Sequence, residues 1–200
     1  MKAKNIRFRI FGTDHADYAK SLNYLAILYD HKGNLEKAEL LYRQSLGIIK
    51  KVEGDDNTDY GQGLNNLAII HYRMGNYQKA EPLFLEANSI YEKSLGKNNA
   101  FYATCQNNLG MFYQNIGDYK KAEELLIKTL KIREEILGKK HYHYAMSLNN
   151  LGILYKHTGD YEKSTIMFNE AKDIYIHVYG TEHEDYAMSI NNLALVMRDQ

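Results

Sequence analysis

Apolar and polar positions along this chain recur with the period of a helix. In the stretch LNNLGILYKHTGDY (148–161), Leu148, Leu151, Gly152 and Tyr155 fall at i, i+3, i+4 and i+7, one face of a helix. Ser164, Phe168 and Ala171 keep a helical spacing further on. Close copies of the stretch occupy 64–77 and 106–119, a looser one occupies 22–35, and a partial one starts at Ile190. Asn65, Asn107, Asn149 and Asn191 stand 42 residues apart. Two further series of glycines, one through Gly33 and Gly159 and one through Gly12 and Gly180, keep the same interval. Self-similarity at a fixed period of about 20–50 residues marks an array of one supersecondary unit.

Each unit predicts two helices. Helix A starts near Thr58–Asp59, where short polar side chains accept from free first-turn amides, and runs to about Met74. Gly75 then supplies the backbone freedom of a helix C-terminus. Asn34, Asn76, Asp118 and Asp160 are the expected N-caps of helix B, which runs on to Gly96, Gly138 or Gly180 in successive units. Pro82 lies early in one helix B, far enough in to bend it slightly. The units are therefore antiparallel αα-hairpins in an all-α fold. The opening MKAKNIRFRIFG, shifted by 126 residues, lies on IKTLKIREEILG, with Ile6 on Ile132 and Arg7 on Arg133. Residues 1–11 thus read as the end of a preceding helix B. Repeats 1 to 4 follow at 12–53, 54–95, 96–137 and 138–179, and 180–200 is helix A of repeat 5. Both ends interrupt the pattern, which predicts a piece of a longer array; natural termini with worn end repeats are the alternative.

Charge narrows the partner class. Lys+Arg and Asp+Glu both number 25, so net charge is zero, against the basic excess of a nucleic-acid binder or an electrostatic membrane binder. No apolar run approaches the roughly 20 residues of a membrane helix, and no secretory segment opens the chain. Cys105 is the only cysteine, so neither a disulfide framework nor a thiolate metal site is expected, and a cytoplasmic location is the default.

The residues resemble the tetratricopeptide repeat family. Its signature has a large apolar residue, Leu three later, Gly or Ala next, an aromatic three further on, then Ala-x3-Phe. Here it reads Leu22-Leu25-Ala26-Tyr29 with Ala38-Tyr42, and Leu64-Leu67-Ala68-His71 with Ala80-Phe84. It continues as Gln106-Leu109-Gly110-Tyr113 with Ala122-Leu126, and as Leu148-Leu151-Gly152-Tyr155 with Ser164-Phe168. His71, Gln106 and the missing inter-repeat proline depart from it, and the 42-residue unit exceeds the usual length of about 34. The longer form looks like the repeats of kinesin light chains. Similar arrays precede NTPase or caspase-like protease domains in large bacterial signalling proteins. The resemblance implies a right-handed superhelix, a tetratricopeptide solenoid, with the A helices on a concave wall that holds a protein or peptide partner.

Angular position around helix A identifies the stripe that would line this wall. With Leu151 at zero, Met146, Asn150, Ile153 and His157 lie roughly 100–160° from the core direction. The equivalent stripes are Lys20-Tyr24-Ile27-His31, Gln62-Asn66-Ile69-Arg73, Thr104-Asn108-Met111-Asn115 and Met188-Asn192-Leu195-Asp199. The apolar member of each either packs between neighbouring A helices or faces a partner, and the two roles are compatible. Asn is a mediocre helix former, about 0.5–0.7 kcal/mol worse than Ala, yet each of the last four A helices carries an adjacent pair. A carboxamide both donates and accepts, so Asn66, Asn108, Asn150 and Asn192 can grip peptide backbone. Asn65, Asn107, Asn149 and Asn191, nearer the back of the stripe, are expected to bridge adjacent helices. In related tetratricopeptide grooves Asn at the second position contacts bound peptide. The lysines of the carboxylate clamp of chaperone-binding relatives are replaced by Asn, which disfavours recognition of a C-terminal carboxylate.

Other chemistry is sparse. His15, His141 and His183 share one repeat position at the entry to helix A, which Asn57 and Asn99 fill elsewhere, so they are too dispersed for a common metal ion. Cys105 sits where Gly63, Ser147 and Ser189 sit, a small-residue packing position. No cofactor-binding or catalytic constellation appears, and the expectation is a non-enzymatic scaffold or adaptor. The alternative is a structural or regulatory segment of a larger signalling protein that docks on its own domains or self-associates end to end through uncapped terminal repeats.

Overall fold

The computed structural model describes residues 2–200, with side chains from Ile6 onward. Among the described residues there are ten helices and no strand, in keeping with the helical spacing of the apolar positions. Met1, the first residue of the segment expected to end a preceding helix B, lies outside the described residues. The chain divides into two compact units, Met1–Gly96 and Lys97–Gln200. The first holds α1 (Lys2–Phe11), α2 (Ala16–His31), α3 (Leu35–Glu53), α4 (Thr58–Arg73) and α5 (Tyr77–Leu95). Within it α2 pairs with α3 and α4 with α5, while α1 on α2 and α3 on α4 join the layers. The second holds α6 (Ala100–Asn115), α7 (Tyr119–Leu137), α8 (Tyr142–His157), α9 (Tyr161–Tyr179) and α10 (Glu184–Asp199). There α6 pairs with α7 and α8 with α9, and α7 on α8 and α9 on α10 continue the stacking.

Local chemistry sets the helix ends. Gly159 adopts φ of +79°, which lets the Asp160 amide reach back to the Tyr155 carbonyl at 2.9 Å and close α8. The Asp160 carboxylate then accepts from the Lys163 amide at 3.1 Å and starts α9. Asn34 and Asp118 cap α3 and α7 in the same way. Asn76 departs from this expectation: its side chain makes no cap bond, and Nδ2 lies 3.8 Å from Met74 Sδ instead. Pro82 stands inside α5 on its exposed side, and the helix continues past it to Leu95. The ring removes one N–H from the helical ladder without ending the helix.

Close approach within a hairpin rests on small residues. A Cβ at Gly152 would lie 2.6 Å from Cε1 of Phe168, a fully buried ring, so here glycine is what admits helix B against helix A. Ser164, the polar residue on that face of α9, is buried and donates to the Gly152 carbonyl at 2.8 Å, which removes the penalty for its hydroxyl. Between hairpins, Arg133 on α7 is almost fully buried and donates to the His143 carbonyl at 3.0 Å and to Ser147 Oγ at 2.8 Å. Burial lowers its guanidinium to about 10, so it stays charged at neutral pH. Arg7 on α1 repeats the arrangement, at 3.2 Å from the Asp17 carbonyl and 2.9 Å from Ser21 Oγ. The opening helix therefore contacts α2 as α7 contacts α8.

The first and last helices carry apolar side chains at the surface. Ile6, Phe8, Ile10 and Phe11 of α1 are exposed, as are Met188, Ile190 and Met197 of α10. Ala194, at the close-approach position that Gly152 fills in α8, is also exposed.

A tyrosine–carboxylate bond links successive hairpins in the second unit, where Tyr155 Oη donates to Glu123 Oε1 at 2.9 Å. The equivalent pair in the first unit is His71 and Glu39. His71 is 1% exposed, with Nε2 at 3.6 Å from Glu39 Oε1 and 3.3 Å from Arg43 Nη2, and its Nδ1 is buried without a partner. Burial pushes the imidazole below its ordinary pKa, reinforced by Arg43 and Lys79 and opposed by Glu39. As pH falls through the ordinary imidazole range, the unfolded chain takes up a proton that the folded chain resists, so stability is lost. His71→Tyr, which restores the tyrosine of the other repeats, should lose less stability than wild type between about pH 7.5 and pH 5.5, read as urea midpoints. Equal losses in the two proteins would show that His71 carries no such linkage.

Candidate partner-binding face

The stripe residues sit on the A helices, and each unit presents its own set. In the first unit α2 and α4 are tied at both ends by ion pairs. Lys20 Nζ lies 3.0 Å from Asp59 Oδ2, and Arg73 pairs with Asp30. The Asp59 carboxylate holds the Lys20 ammonium above its ordinary pKa, through a hydrogen bond first and charge second. Between these ties, Tyr24 is 64% exposed, Gln62 is exposed, and Asn66, Ile27 and Ile69 are half-buried. A cavity of about 210 Å³ opens here, lined by Lys20, Asn23, Tyr24, Ile27, Asp59, Gln62 and Asn66. Arg73 is thus committed to an acidic neighbour rather than presented as a free cation.

In the second unit Asn107 and Asn149 bridge adjacent A helices as expected, but their partners are Asn150 and Asn192, which were expected to face the groove. Asn150 Nδ2 donates to Asn107 Oδ1 at 2.9 Å, and Asn192 Nδ2 donates to Asn149 Oδ1 at 3.0 Å. The second Asn of one repeat therefore bridges to the first Asn of the repeat before it. Asn150 is only 8% exposed, which places it in the seam between α6 and α8 rather than free on the open face. The physical reason is the low tolerance of interiors for unpaired amides: once helices approach this closely, the carboxamides must satisfy each other. Asn192, on the outermost A helix, is half-buried, as is Asn108.

Around this seam lie the remaining stripe residues. Met111 is 37% exposed, and its sulfur lies 3.5 Å from Asn107 Nδ2 and 3.6 Å from Asn150 Nδ2. Asn115 is exposed and bonds back to the Met111 carbonyl at 3.0 Å. His157 is exposed, with its ring stacked at 6.5 Å on Tyr119, and Met146 is half-buried. Ile153 is half-buried and packs against the cluster of Phe168, Leu193 and Val196, so it serves the joint between neighbouring layers as well as the surface. Asn23 and Asp59 belong to the face but did not stand out in the sequence. Repeat register would have found Asn23, which aligns with Asn65, whereas Asp59 gave no signal of its own.

The histidines at the entry to helix A have a structural role. Nδ1 of His15, His141 and His183 accepts from the amide two residues on, at 3.1, 3.1 and 3.3 Å, as an N-cap. Among the described residues no group of three metal-ligating side chains comes together, and no helix is long and apolar enough to cross a membrane. Cys105 is buried, and desolvation pushes its thiol up to about 12, far from a reactive thiolate at neutral pH. A larger cavity of about 320 Å³ lies beside Tyr119, Glu123, Tyr155 and Lys163. Several of its polar groups are already engaged: Tyr155 with Glu123, and Lys163 with Asp160 at 2.7 Å and over the Tyr155 ring at 5.0 Å.

The sequence profile of the tetratricopeptide repeat matches residues 1–51, 59–134, 105–177 and 150–200. No curated protein matches the sequence. Among solved structures, BtubC (BKLC) from P. vanneervenii superposes with a TM-score of 0.83 at 23% identity, covering 99% of this chain and 78% of that one. A kinesin-light-chain-type protein of Podosopora anserina with nearly identical TPR-like repeats gives 0.78 at 22% identity, covering 93% and 88%. A Rap protein complexed with Competence and Sporulation Factor gives 0.73 at 16% identity, covering 90% of this chain and 48% of that one.

Proposed function

The chain belongs to the tetratricopeptide repeat family, generally a non-enzymatic interaction scaffold, and we propose that it holds a peptide or extended partner segment on the open stripe of its A helices. One observation carries this reading. In the second unit, Met111 stays accessible on a face whose neighbouring carboxamides are consumed in bridging, so apolar contact area is presented inside a polar frame. Asn108 and Asn115 share its helix, Met146, Ile153 and His157 lie on α8 and Asn192 on α10, and Gln62, Asn66, Ile69 and Arg73 are the equivalent residues of the first unit. Micromolar binding requires about 8 kcal/mol, more than a few hydrogen bonds of about 0.5–1.5 kcal/mol provide, so Met111 and Ile153 supply the apolar share. The Rap protein complexed with Competence and Sporulation Factor is a precedent for a partner held by this fold.

The test is selection of displayed peptides on the full chain, followed by affinity measurement on variants of matched melting temperature. Met111→Glu combined with His157→Ala should weaken the selected peptides at least about tenfold. Ile166→Glu, on the exposed side of α9, should leave them unchanged. Loss with the α9 variant and retention with the α6–α8 variant would place binding elsewhere and overturn the reading.

A second reading is favoured by the bare outer layers. The apolar side chains exposed on α1 and α10 suit association of one copy's first layer with another's last, which would complete a hairpin from two chains. Light scattering over a concentration series should then show growth in mass that Met197→Lys with Ile190→Lys abolishes. A constant monomer mass would exclude it.

A further inference from the structure

Loops that enter a helix A bond to the helix B of the same repeat. Lys51 on α3 pairs with Asp14, and Asn98 Nδ2 donates to Glu135 Oε2 on α7 at 3.0 Å, each pair 37 residues apart. The equivalent residue in the loop before α10 is Glu182, exposed and without an ion-pair partner among the described residues. One other segment of the chain holds the matching place in register. α1 aligns with the second half of a helix B, and Arg9 falls where Lys51 and Glu135 stand. Arg9 is likewise exposed and unpaired among the described residues. The polarity is the reverse of that inside the chain. Lys140 of the loop before α8 and Glu170 of α9 line one cavity of about 260 Å³, and their equivalents in register are Glu182 and Lys2. α1 carries Lys2, Lys4, Arg7 and Arg9 and no acidic residue, whereas Glu182, Glu184 and Asp185 cluster at the start of α10. Apolar residues follow the same register. In the α8–α9 hairpin Ala171, Ile174 and Tyr175 pack with Tyr144, Ala145 and Leu148. On α10 the last three are matched by Tyr186, Ala187 and Ile190, of which Ala187 and Ile190 are exposed. On α1 Ile174 is matched by Ile6, which is 57% exposed.

We propose that the exposed face of α10 receives α1 of a second copy of this chain in repeat register, with Ile6 on Tyr186, Ala187 and Ile190 and with Arg9 paired to Glu182. α1 then stands where helix B stands in the α8–α9 hairpin. It spans 10 residues where α9 spans 19, so it covers the half of α10 nearer Glu182 and leaves Met197 uncovered. The two faces are different surfaces of one molecule, so copies add head to tail instead of stopping at a two-fold dimer. The proposal rests on the end-to-end reading, and it adds the register and the charge pair that select α1 over other apolar surfaces.

The experiment is sedimentation of the full chain over a concentration series, with two charge variants, Arg9→Glu and Glu182→Arg. Each variant alone sets like charges against each other at every junction and should raise the concentration of half-association at least about fivefold. An equimolar mixture of the two restores opposite charges at every junction and should recover the wild-type curve. Met197→Lys should associate as the wild type does, because α1 does not reach that residue. Wild-type association that neither charge variant weakens, that the mixture fails to restore, or that Met197→Lys abolishes would overturn the proposed register and leave the end-to-end reading standing. A constant monomer mass in the wild type would overturn both, so the two failures are distinguishable.

Discussion

A hairpin of this chain cannot bury its own apolar face, and the contact between successive hairpins is the constraint from which the rest of the structure follows. That contact has an apolar part and a polar part. The apolar part is nonspecific about position: Ile153 against Phe168, Leu193 and Val196 would tolerate small shifts. The bond from Asn150 to Asn107 is not so tolerant, because a buried carboxamide that slips out of reach loses about 1–3 kcal/mol. In the second unit the asparagine pairs therefore fix how one A helix lies against the next, and the buried arginine bond from Arg133 to Ser147 does the same between α7 and α8.

This division of labour decides what the open face can offer. With the carboxamides of Asn107 and Asn150 turned toward each other, what this face leaves accessible is the partly exposed Met111, whose sulfur lies against both carboxamides, and the half-buried residues beside it. The first unit makes the opposite choice. Its A helices are tied by Lys20–Asp59 and Arg73–Asp30, and Oδ1 of Asn23 stays buried without a partner. Equivalent asparagines thus bond to each other in the second unit and not in the first.

Much of the fold was legible in advance because its determinants are local. Glycine at a helix stop, Asp or Asn at the following cap, and Gly152 opposite Phe168 each act within one repeat, and the period of 42 residues exposes them. The site was less legible. The role of the second asparagine depends on an offset of 43 residues, one more than the repeat, so alignment in register conceals the pair. The positions around Asn23 and Asn66 differ in sequence from those around Asn107 and Asn150: Lys20, Tyr24 and Asp59 stand where Thr104, Asn108 and His143 stand. What the sequence alone does not show is that Lys20 and Asp59 meet across α2 and α4, because that contact depends on how the two helices pack. The histidine caps were visible only as a repeat position, and their function needed the geometry of Nδ1.

The central claim is that the asparagine pairs are structural rungs and that binding uses the residues beside them. A double-mutant cycle on Asn107→Ala and Asn150→Ala, measured by urea unfolding of the full chain, tests it most directly. The account predicts that each single change costs about 1–3 kcal/mol and that the double change costs less than their sum by about 0.5–1.5 kcal/mol. Additive losses, or single changes with no effect on stability, would contradict it.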